Sequence, residues 1–389
     1  MNSFNYFVPT KILFGPGKLN ELATVSLPGK KALLVISSGK SMKINGYLDR
    51  VVELLKKNND TEVVIFDKIR PNPILDHVTE GAETARREKC DFVIGLGGGS
   101  SIDSAKSIAV AAKNPGNYWD YIHGGSGKGL PVKNGALPIV AVTTTAGTGT
   151  EADPWTVITK EDTCEKIGFG NEHTFPVLSI VDPELMLTVP PQLTVYQAFD
   201  AFFHAAEGYI AKTANPISDM FALKSINLIN EYLPAAFAHG NDPEARARLA
   251  LANTYSGFVE SLSSCTSEHS MEHALSAVFP DLPHGAGLIM LSEAYFGFFA
   301  DKVPQRFVDM ARAMDENSEP TSGAFIKALM KLKYKCKVDT LKMSDYGIRI
   351  DDIPALARKA YDTMGGLFEA DPYKLSPDET VAIMTKSFG

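Results

Sequence analysis

Short apolar runs rich in β-branched residues alternate with helical patterns between about residues 30 and 184. The predicted strands are KALLVIS (31–37), TEVVIFD (61–67), DFVIGLG (91–97) and LPIVAVTTT (137–145), and the predicted helices between them cover about 46–57, 76–89 and 101–112. Strands that alternate with helices at this spacing form βαβ units and a parallel sheet. We therefore expect a doubly wound α/β fold in this half.

The pattern changes near residue 185 to long segments with a 3.6-residue period, and the pair Pro190–Pro191 marks a break. Helices are predicted at 195–211, 217–233, 243–264, 267–278, 285–300 and 304–314, with more toward the C-terminus. We therefore expect an α/β domain over residues 1–184 and an all-helical domain over residues 185–389.

Composition is that of an ordinary globular protein and excludes several classes. The chain has 389 residues, of which 44% are hydrophobic, so it can bury the cores of two domains. A net charge of -8 and scattered basic residues argue against a nucleic-acid partner. No signal-peptide pattern or long apolar run occurs, which predicts a cytoplasmic protein without a membrane partner. The four cysteines form no C-x-x-C pair, which argues against a disulfide framework.

Two turns of the first half are suited to phosphate binding. In GLGGGSSIDSAKSIA (95–109), Gly97, Gly98 and Gly99 follow a strand and open a helix, whose first N–H groups and dipole attract anions. A second turn, TTTAGTGTE (143–151), adds the hydroxyl groups of Thr144, Thr145 and Thr148. One glycine run alone can be a structural turn, but two such turns at the ends of parallel strands favour a dinucleotide site.

The segment after the first strand bears on the choice of cofactor. It reads SSGKSMK (37–43) and lacks both the G-x-G-x-x-G spacing and a carboxylate that could bind two ribose hydroxyl groups. Ser38, Gly39 and Lys40 would suit a 2′-phosphate, so we expect NADP(H) rather than NAD(H). The alternative is that Lys40 is a solvated loop lysine.

Charged and imidazole side chains interrupt apolar helices of the second half. In DAFFHAAEG (200–208), Asp200 and His204 share one helical face. His269 and His273 form a second pair with this spacing, and His284 follows the turn PDLP. The set Asp200, His204, His269 and His284 would suit Fe(II), Zn(II) or a similar ion. The alternative is that these groups are only hydrogen-bonded to one another.

Four stretches resemble the signatures of a known family, the iron-containing (group III) alcohol dehydrogenases. They are GGGSSIDSAK (97–106), TTAGTGTE (144–151), DAFFHAAEGY (200–209) and HSMEHALSAVFPDLPHG (269–285). They occur in the order and with the spacing of the family, and the resemblance covers essentially the whole chain. It implies a dehydroquinate synthase-like architecture, with an N-terminal dinucleotide-binding α/β domain and a helical C-terminal domain that binds the metal.

The resemblance also implies roles for individual residues. Asp200, His204, His269 and His284 match the metal ligands of the family, and His273 matches a histidine that assists proton movement. The expected cofactor contacts are Ser38, Gly39, Lys40, Asn72, Gly97, Gly98, Gly99, Ser100, Asp103, Thr144, Thr145, Thr148 and Lys166. Members of the family are usually dimers or larger homo-oligomers.

Several positions depart from the common pattern of the family. Ser101 stands where proline is common, and Thr150 stands where serine is common. Glu272 places a charge beside the histidine pair, and Asp371 replaces a frequent asparagine. These departures leave the expected ligands intact but prevent the transfer of a particular substrate.

We therefore predict a metal-dependent oxidoreductase that transfers a hydride between NAD(P) and a small primary alcohol or aldehyde. The expected ion is Fe(II), with Zn(II) as an alternative, and His273 is the expected catalytic residue. Two other functions stay open at this stage. One is a lyase like the dehydroquinate synthases, which use NAD only transiently, and the other is a non-catalytic nucleotide-binding protein.

Overall fold

A computed structural model describes residues 3–389, which form two compact units. The α/β unit comprises Val8–Ala146 and Thr150–Thr188. The helical unit comprises Val189–Gly389, together with Gly147–Gly149 and the N-terminal segment that ends at Phe7. The expected combination of a parallel-sheet α/β half and a mostly helical half is confirmed.

A six-stranded sheet forms the centre of the α/β unit. The strands of this unit are β1 Lys11–Phe14, β2 Lys31–Ser37, β3 Glu62–Ile69, β4 Phe92–Gly97, β5 Ile139–Thr143, β6 Thr156–Lys160, β7 Glu165–Phe169 and β8 Leu178–Val181. The sheet order is β1-β8-β5-β4-β2-β3, and all neighbouring strands are parallel. Strands β6 and β7 form a separate antiparallel hairpin.

The order of the strands reverses its direction beside β2. Strand β3 lies on one side of β2, whereas the chain then returns to place β4 on the other side and β5 beyond it. The loops that leave β2 and β4 therefore diverge, and open α/β sheets bind ligands outside the carboxyl ends of strands at such a reversal. Both loops contain residues that the sequence analysis assigns to the cofactor.

The helices of the α/β unit follow the predicted pattern closely. They are α1 Ser41–Ile44, α2 Tyr47–Lys57, α3 Leu75–Arg87 and α4 Gly99–Lys113. Helix α4 lies very close to β4 at Gly95. A Cβ added at this glycine would lie only 2.7 Å from the Cα of Ile102. The glycine at this position thus allows the short distance between α4 and the sheet.

The described residues of the helical unit form nine α-helices. They are α5 Pro191–Ile210, α6 Pro216–Ala238, α7 Pro243–Leu262, α8 Ser267–Val278, α9 His284–Phe299, α10 Pro304–Met314, α11 Gly323–Lys335, α12 Ile353–Ala370 and α13 Pro377–Lys386. Five of them start at a proline, which has no N–H to leave unpaired at that position. Between Ser3 and Gly389, no helix combines the length and apolar character that a membrane span requires.

Aromatic packing holds α5 in place within the helical unit. Phe202 stacks on Phe325 of α11, with ring centroids 6.1 Å apart. Phe203 stacks on Phe296 of α9 at 5.8 Å, and Phe202 and Phe203 are both fully buried. Buried aromatic side chains dominate the packing energy of such a core. The polar side chains of α5 are therefore carried on a helix whose apolar side is firmly anchored.

Candidate active site

Three imidazole side chains of the helical unit converge on one carboxylate oxygen, that of Asp200. Asp200 and His204 lie one turn apart on α5, and His269 lies on α8. His284 is the first residue of α9. The Nε2 atoms of His204, His269 and His284 lie 3.6, 3.6 and 3.3 Å from Oδ1 of Asp200. The structure thus brings together all four side chains that the sequence analysis names as metal ligands.

These separations suit a bound cation better than direct hydrogen bonds. An N–H···O bond usually spans about 2.7–3.2 Å, whereas donor atoms about 2.1 Å from a tetrahedral ion lie about 3.4 Å from one another. Oδ1 of Asp200 and Nε2 of His269 are buried, and neither makes a hydrogen bond within the described residues. One carboxylate with three imidazoles suits Fe(II) or Zn(II). The residues present therefore fit a divalent metal ion.

A glutamate faces the Nδ1 atom of each of the three imidazoles. The pairs are Glu207 with His269, Glu272 with His284, and Glu260 with His204, where the last pair is separated by 3.4 Å. All three glutamates are buried. At His269 and His284, where the carboxylate is within hydrogen-bond distance, this contact favours the tautomer that carries its proton on Nδ1, so the lone pair of Nε2 stays available to a metal.

Electrostatics favour the metal-binding protonation states of His204 and Asp200, but not that of His269. Burial opposes the protonation of His269, but Cys265 and Glu207 outweigh it and raise its pKa well above the usual range. Burial lowers the pKa of His204 to about 3, so this imidazole is neutral near pH 7. Burial opposes the ionisation of Asp200, but the imidazoles of His204 and His284 outweigh it and hold the pKa of Asp200 well below its usual range. A neutral imidazole and an ionised carboxylate are the forms that bind metals.

His273 lies one turn after His269 on α8 and is outside the converging set. Its ring centroid lies 5.2 Å from that of His284, and its side chain is buried. Nδ1 of His273 lies 2.9 Å from Sδ of Met364, a residue with non-helical backbone angles inside α12. When Nδ1 donates to this sulfur, Nε2 is left to exchange a proton. This placement suits an acid–base group beside a metal site.

Cys265 is a further potential donor near two of the imidazoles. A set of donor atoms from Cys265, His204 and His269 lies within 4.8 Å of one another. Burial raises the pKa of the Cys265 thiol, and the thiol hydrogen points toward Glu260 at 3.9 Å. Because the thiolate is the form that ligates metals, we do not place Cys265 among the ligands.

A buried chain of hydrogen bonds leads away from His269. Glu207, which faces Nδ1 of His269, accepts hydrogen bonds from the backbone N–H and the hydroxyl of Thr266, both at 2.7 Å. The Thr266 hydroxyl lies 2.7 Å from the hydroxyl of Tyr295, which donates to Oδ1 of Asp371 at 3.0 Å. The carboxylate that supports one predicted ligand is therefore fixed by contacts with two more helices and the segment after α12.

The glycine-rich and threonine-rich turns of the α/β unit lie side by side. The backbone N–H of Thr144 donates to the carbonyl of Gly97 at 2.9 Å. A Cβ at Gly98 would lie 2.9 Å from Cγ2 of Thr145, so the close approach requires a glycine. Gly99 and Ser100 form the start of α4, where free N–H groups point outward. The structure brings these residues together in an arrangement that can bind a pyrophosphate.

The other predicted cofactor contacts are distributed over several elements. Ser38, Gly39 and Lys40 are exposed after β2. Asn72 follows β3. The carbonyl of the next residue, Pro73, accepts a hydrogen bond at 2.8 Å from the backbone N–H of Thr159 in β6. Lys166 lies opposite Thr159 in the hairpin. Ser38, Gly39, Lys40 and Asn72 thus follow the carboxyl ends of β2 and β3, whereas Lys166 lies within the hairpin.

Asp103 and Thr148 occupy different surroundings from the rest. Both carboxylate oxygens of Asp103 accept hydrogen bonds within the α/β unit, at 2.7 Å from the Thr150 hydroxyl and at 2.9 Å from the N–H of Val157. Thr148 lies in the short segment grouped with the helical unit, where the N–H of Gly149 donates to Asn253 at 2.9 Å. A cofactor contact by either residue stays a prediction.

Sequence reasoning missed the parts that Glu260, Glu272 and Met364 play around the histidines. Glu260 and Glu272 interrupt apolar helical stretches in the same way as Asp200, and this signal could have marked them. The contact of Met364 with His273 depends on a break in α12 that no residue pattern indicates.

Comparison with known proteins gives consistent matches over the whole chain. The family model for the iron-containing alcohol dehydrogenases matches residues 9–183, and the model for the C-terminal part of the Fe-containing alcohol dehydrogenase family matches residues 194–388. The chain is 34% identical to the 1,3-propanediol dehydrogenase of Klebsiella pneumoniae, over 99% of both chains. It is also 34% identical to the NAD-dependent methanol dehydrogenase of Bacillus methanolicus, over 92% of this chain and 93% of that protein.

Solved structures agree with these matches. An alcohol dehydrogenase from an archaeal halo-thermophile of a Red Sea brine pool has a TM-score of 0.94 and 34% identity, and 99% of each chain is covered. The NADH-dependent butanol dehydrogenase A of Thermotoga maritima has a TM-score of 0.89 and 32% identity, over 100% of this chain and 99% of that chain. Family models over both halves, close relatives and a shared fold lead to one conclusion, that this chain belongs to the iron-containing alcohol dehydrogenase family.

Proposed function

We propose that Asp200, His204, His269 and His284 hold one divalent ion in an NADP(H)-preferring alcohol dehydrogenase or aldehyde reductase. The observation that carries this proposal is the convergence of three imidazole Nε2 atoms on Oδ1 of Asp200, at 3.3–3.6 Å. Iron is the favoured ion, in line with the family, and Zn(II) is the alternative that the same donors accept. Such an ion would act as a Lewis acid on the oxygen of the substrate, and the nicotinamide would exchange the hydride.

The residues of the chain would supply position and proton transfer. Gly97, Gly98, Gly99 and Ser100, with Thr144 and Thr145, would bind the pyrophosphate and orient the nicotinamide. His273 would take the hydroxyl proton during oxidation through Nε2 and return it during reduction. Its Nδ1 contact with Met364 would hold the ring in the orientation that this transfer needs.

Small primary alcohols or aldehydes are the proposed substrates. The chain resembles dehydrogenases that are named for methanol, 1,3-propanediol and butanol, all of which are short alcohols. We also propose that the α/β domain over residues 1–184 binds the cofactor, that the helical domain over residues 185–389 binds the metal, and that the protein acts in the cytoplasm as a homodimer or larger homo-oligomer. The relatives named here are dehydrogenases, so they do not favour the hypotheses of a lyase or of a non-catalytic protein.

The decisive experiment assays protein reconstituted with Fe(II) under anaerobic conditions. We expect stoichiometric consumption of reduced cofactor with straight-chain aldehydes, because an alcohol dehydrogenase makes a net change in its cofactor. His269→Ala should lose both metal and turnover, whereas His273→Ala should keep its metal and lose about 10²-fold or more in turnover. Equal loss of metal in both variants would contradict the separate roles. Turnover without a net change in the cofactor would instead indicate the lyase.

The preference for NADP(H) is tested separately at Lys40. This side chain is exposed directly after β2, and the segment SSGKSMK (37–43) around it contains no carboxylate. Lys40→Ala should lower the ratio of kcat/KM for NADPH to that for NADH by about tenfold, because one charge-assisted contact with the 2′-phosphate is lost. Lys43→Ala is the matched control, since Lys43 pairs with Asp67 at 2.6 Å. A wild-type preference for NADH, or an equal loss with both cofactors, would refute this assignment.

A further inference from the structure

His284 differs from the other two converging histidines in how the chain holds it. His204 and His269 lie within helices α5 and α8 and are 7% and 4% exposed at the side chain, whereas the side chain of His284 is 23% exposed. His284 is also the first residue of α9, directly after Pro283, which caps the helix without a side-chain hydrogen bond. Helix ends are less firmly held than helix interiors. His284 is therefore the converging side chain that most needs external support.

Glu272 provides that support from a neighbouring helix. It lies on α8, its side chain is fully buried, and its Oε2 contacts Nδ1 of His284. The contact joins α8 to the first residue of α9 and selects the tautomer whose Nε2 faces Asp200. A buried carboxylate also makes the imidazole a stronger donor to a metal.

The backbone of α9 makes room for Glu272. A Cβ at Gly287 would lie 2.7 Å from Cγ and 2.9 Å from Oε1 of Glu272. Any larger residue at position 287 would thus displace the glutamate from His284. Glu272 is also the residue that stands out in the sequence as a charge beside the histidine pair.

We infer that Glu272 is a positioning residue that slows release of the metal ion by holding His284 through Nδ1. This inference rests on the proposed metal site. Loss of the carboxylate would free the ring of His284 to rotate, and the most exposed of the four donors would leave first. Glu272 would then govern how long the ion stays, while the number of ions bound per chain at saturation would not depend on it.

The test measures transfer of Co(II) from the loaded full-length protein to excess EDTA. Co(II) is chosen because its visible absorption reports the donor set directly, without any assay of turnover. Glu272→Gln should release Co(II) about tenfold faster than the wild type and shift the visible band, and Gly287→Ala should act in the same direction while it retains the carboxylate. Glu293→Gln is the control, because it makes the same change of side chain at an exposed position of α9.

The outcomes separate the possible explanations. Faster release from Glu272→Gln and Gly287→Ala, with the release from Glu293→Gln close to wild type and unchanged melting of the metal-free proteins, supports the inference. Wild-type release from Glu272→Gln, or equal acceleration in Glu293→Gln, overturns it. Failure of the wild type to bind one Co(II) per chain would overturn the proposed metal site as well, so the two failures are distinguishable.

Discussion

Asp371 is a buried carboxyl group in the segment after α12. Its Oδ1 accepts hydrogen bonds at 3.0 Å from the N–H of Ser267 and from the Tyr295 hydroxyl. Its Oδ2 makes no hydrogen bond within residues 3–389. Burial raises the pKa of Asp371 to about 7, and the charge of Glu207 acts in the same direction. Near neutral pH the group is therefore partly protonated.

This pKa predicts how stability depends on pH. The folded protein binds the proton of Asp371 more tightly than the unfolded chain, whose aspartate has a pKa near 3.9. The free energy of unfolding should therefore fall as the pH rises from about 4 to about 7, by roughly 4 kcal/mol at most from this group. Asp371→Asn should remove that part of the slope, while its Oδ1 still accepts from Ser267 and Tyr295. Urea unfolding of the metal-free proteins at several pH values measures the difference, and parallel slopes for the two proteins would contradict the prediction.

Individual ligand candidates could be found from the sequence, but the pairing of each histidine with its supporting glutamate could not. Asp200 and His204 share a helical face, so their spacing alone predicts that they act together. The pairing of Glu272 with His284 depends instead on how α8 and α9 cross, and on the space that Gly287 leaves. Residue spacing within one helix contains no information about such a crossing.

At the level of elements, helices were easier to predict than short strands. The six predicted helices of the second half all occur, and α7, α8 and α10 begin at the predicted residue. Strands β1 and β8 have four residues each and the hairpin strands have five, so their patterns are too short to show a period. One predicted end was wrong, since α6 continues through Pro234 to Ala238. A proline removes only one hydrogen bond, and tertiary packing can offset that loss.

The contact between β4 and α4 gives a prediction about an element. Gly95→Ala would place a methyl group 2.7 Å from the Cα of Ile102 and 3.2 Å from the Cβ of Ala105, so the helix must move off the sheet. The free energy of unfolding should fall by about 1–3 kcal/mol. Turnover should fall too, because the first turn of α4 carries Gly99 and Ser100.

Gly297→Ala is the matched control for that change. Gly297 lies in α9, and a Cβ there would meet no atom within 4 Å. This substitution should raise the free energy of unfolding by about 0.4–1 kcal/mol, because alanine restricts the unfolded chain without a clash. Urea unfolding of both variants compares them directly. Equal effects of the two substitutions would show that close packing at Gly95 is not the cause.

At the scale of the whole molecule, the alternation of strands and helices predicts the architecture, and four motifs in order identify the family. What the linear pattern does not reveal is that a short piece of the first half groups with the second. Gly147–Gly149 follow β5 in sequence, but a Cβ at Gly147 would lie 2.9 Å from Cα of Gln197, and Gly149 donates to Asn253. Such contacts link residues about 50 to 100 positions apart, which local periodicity cannot detect.

This grouping limits how the protein could have been assembled from parts during evolution. A recombination event near residue 188 could exchange the helical half for that of a distant relative. The residues that surround Gln197 and Asn253 would then come from the relative, whereas Gly147–Gly149 would stay those of the original chain. Hybrid enzymes would therefore inherit a mismatch at three residues far from the crossover. Successful exchanges of the two halves should be confined to lineages in which that short segment and helices α5 and α7, which contact it, have changed together.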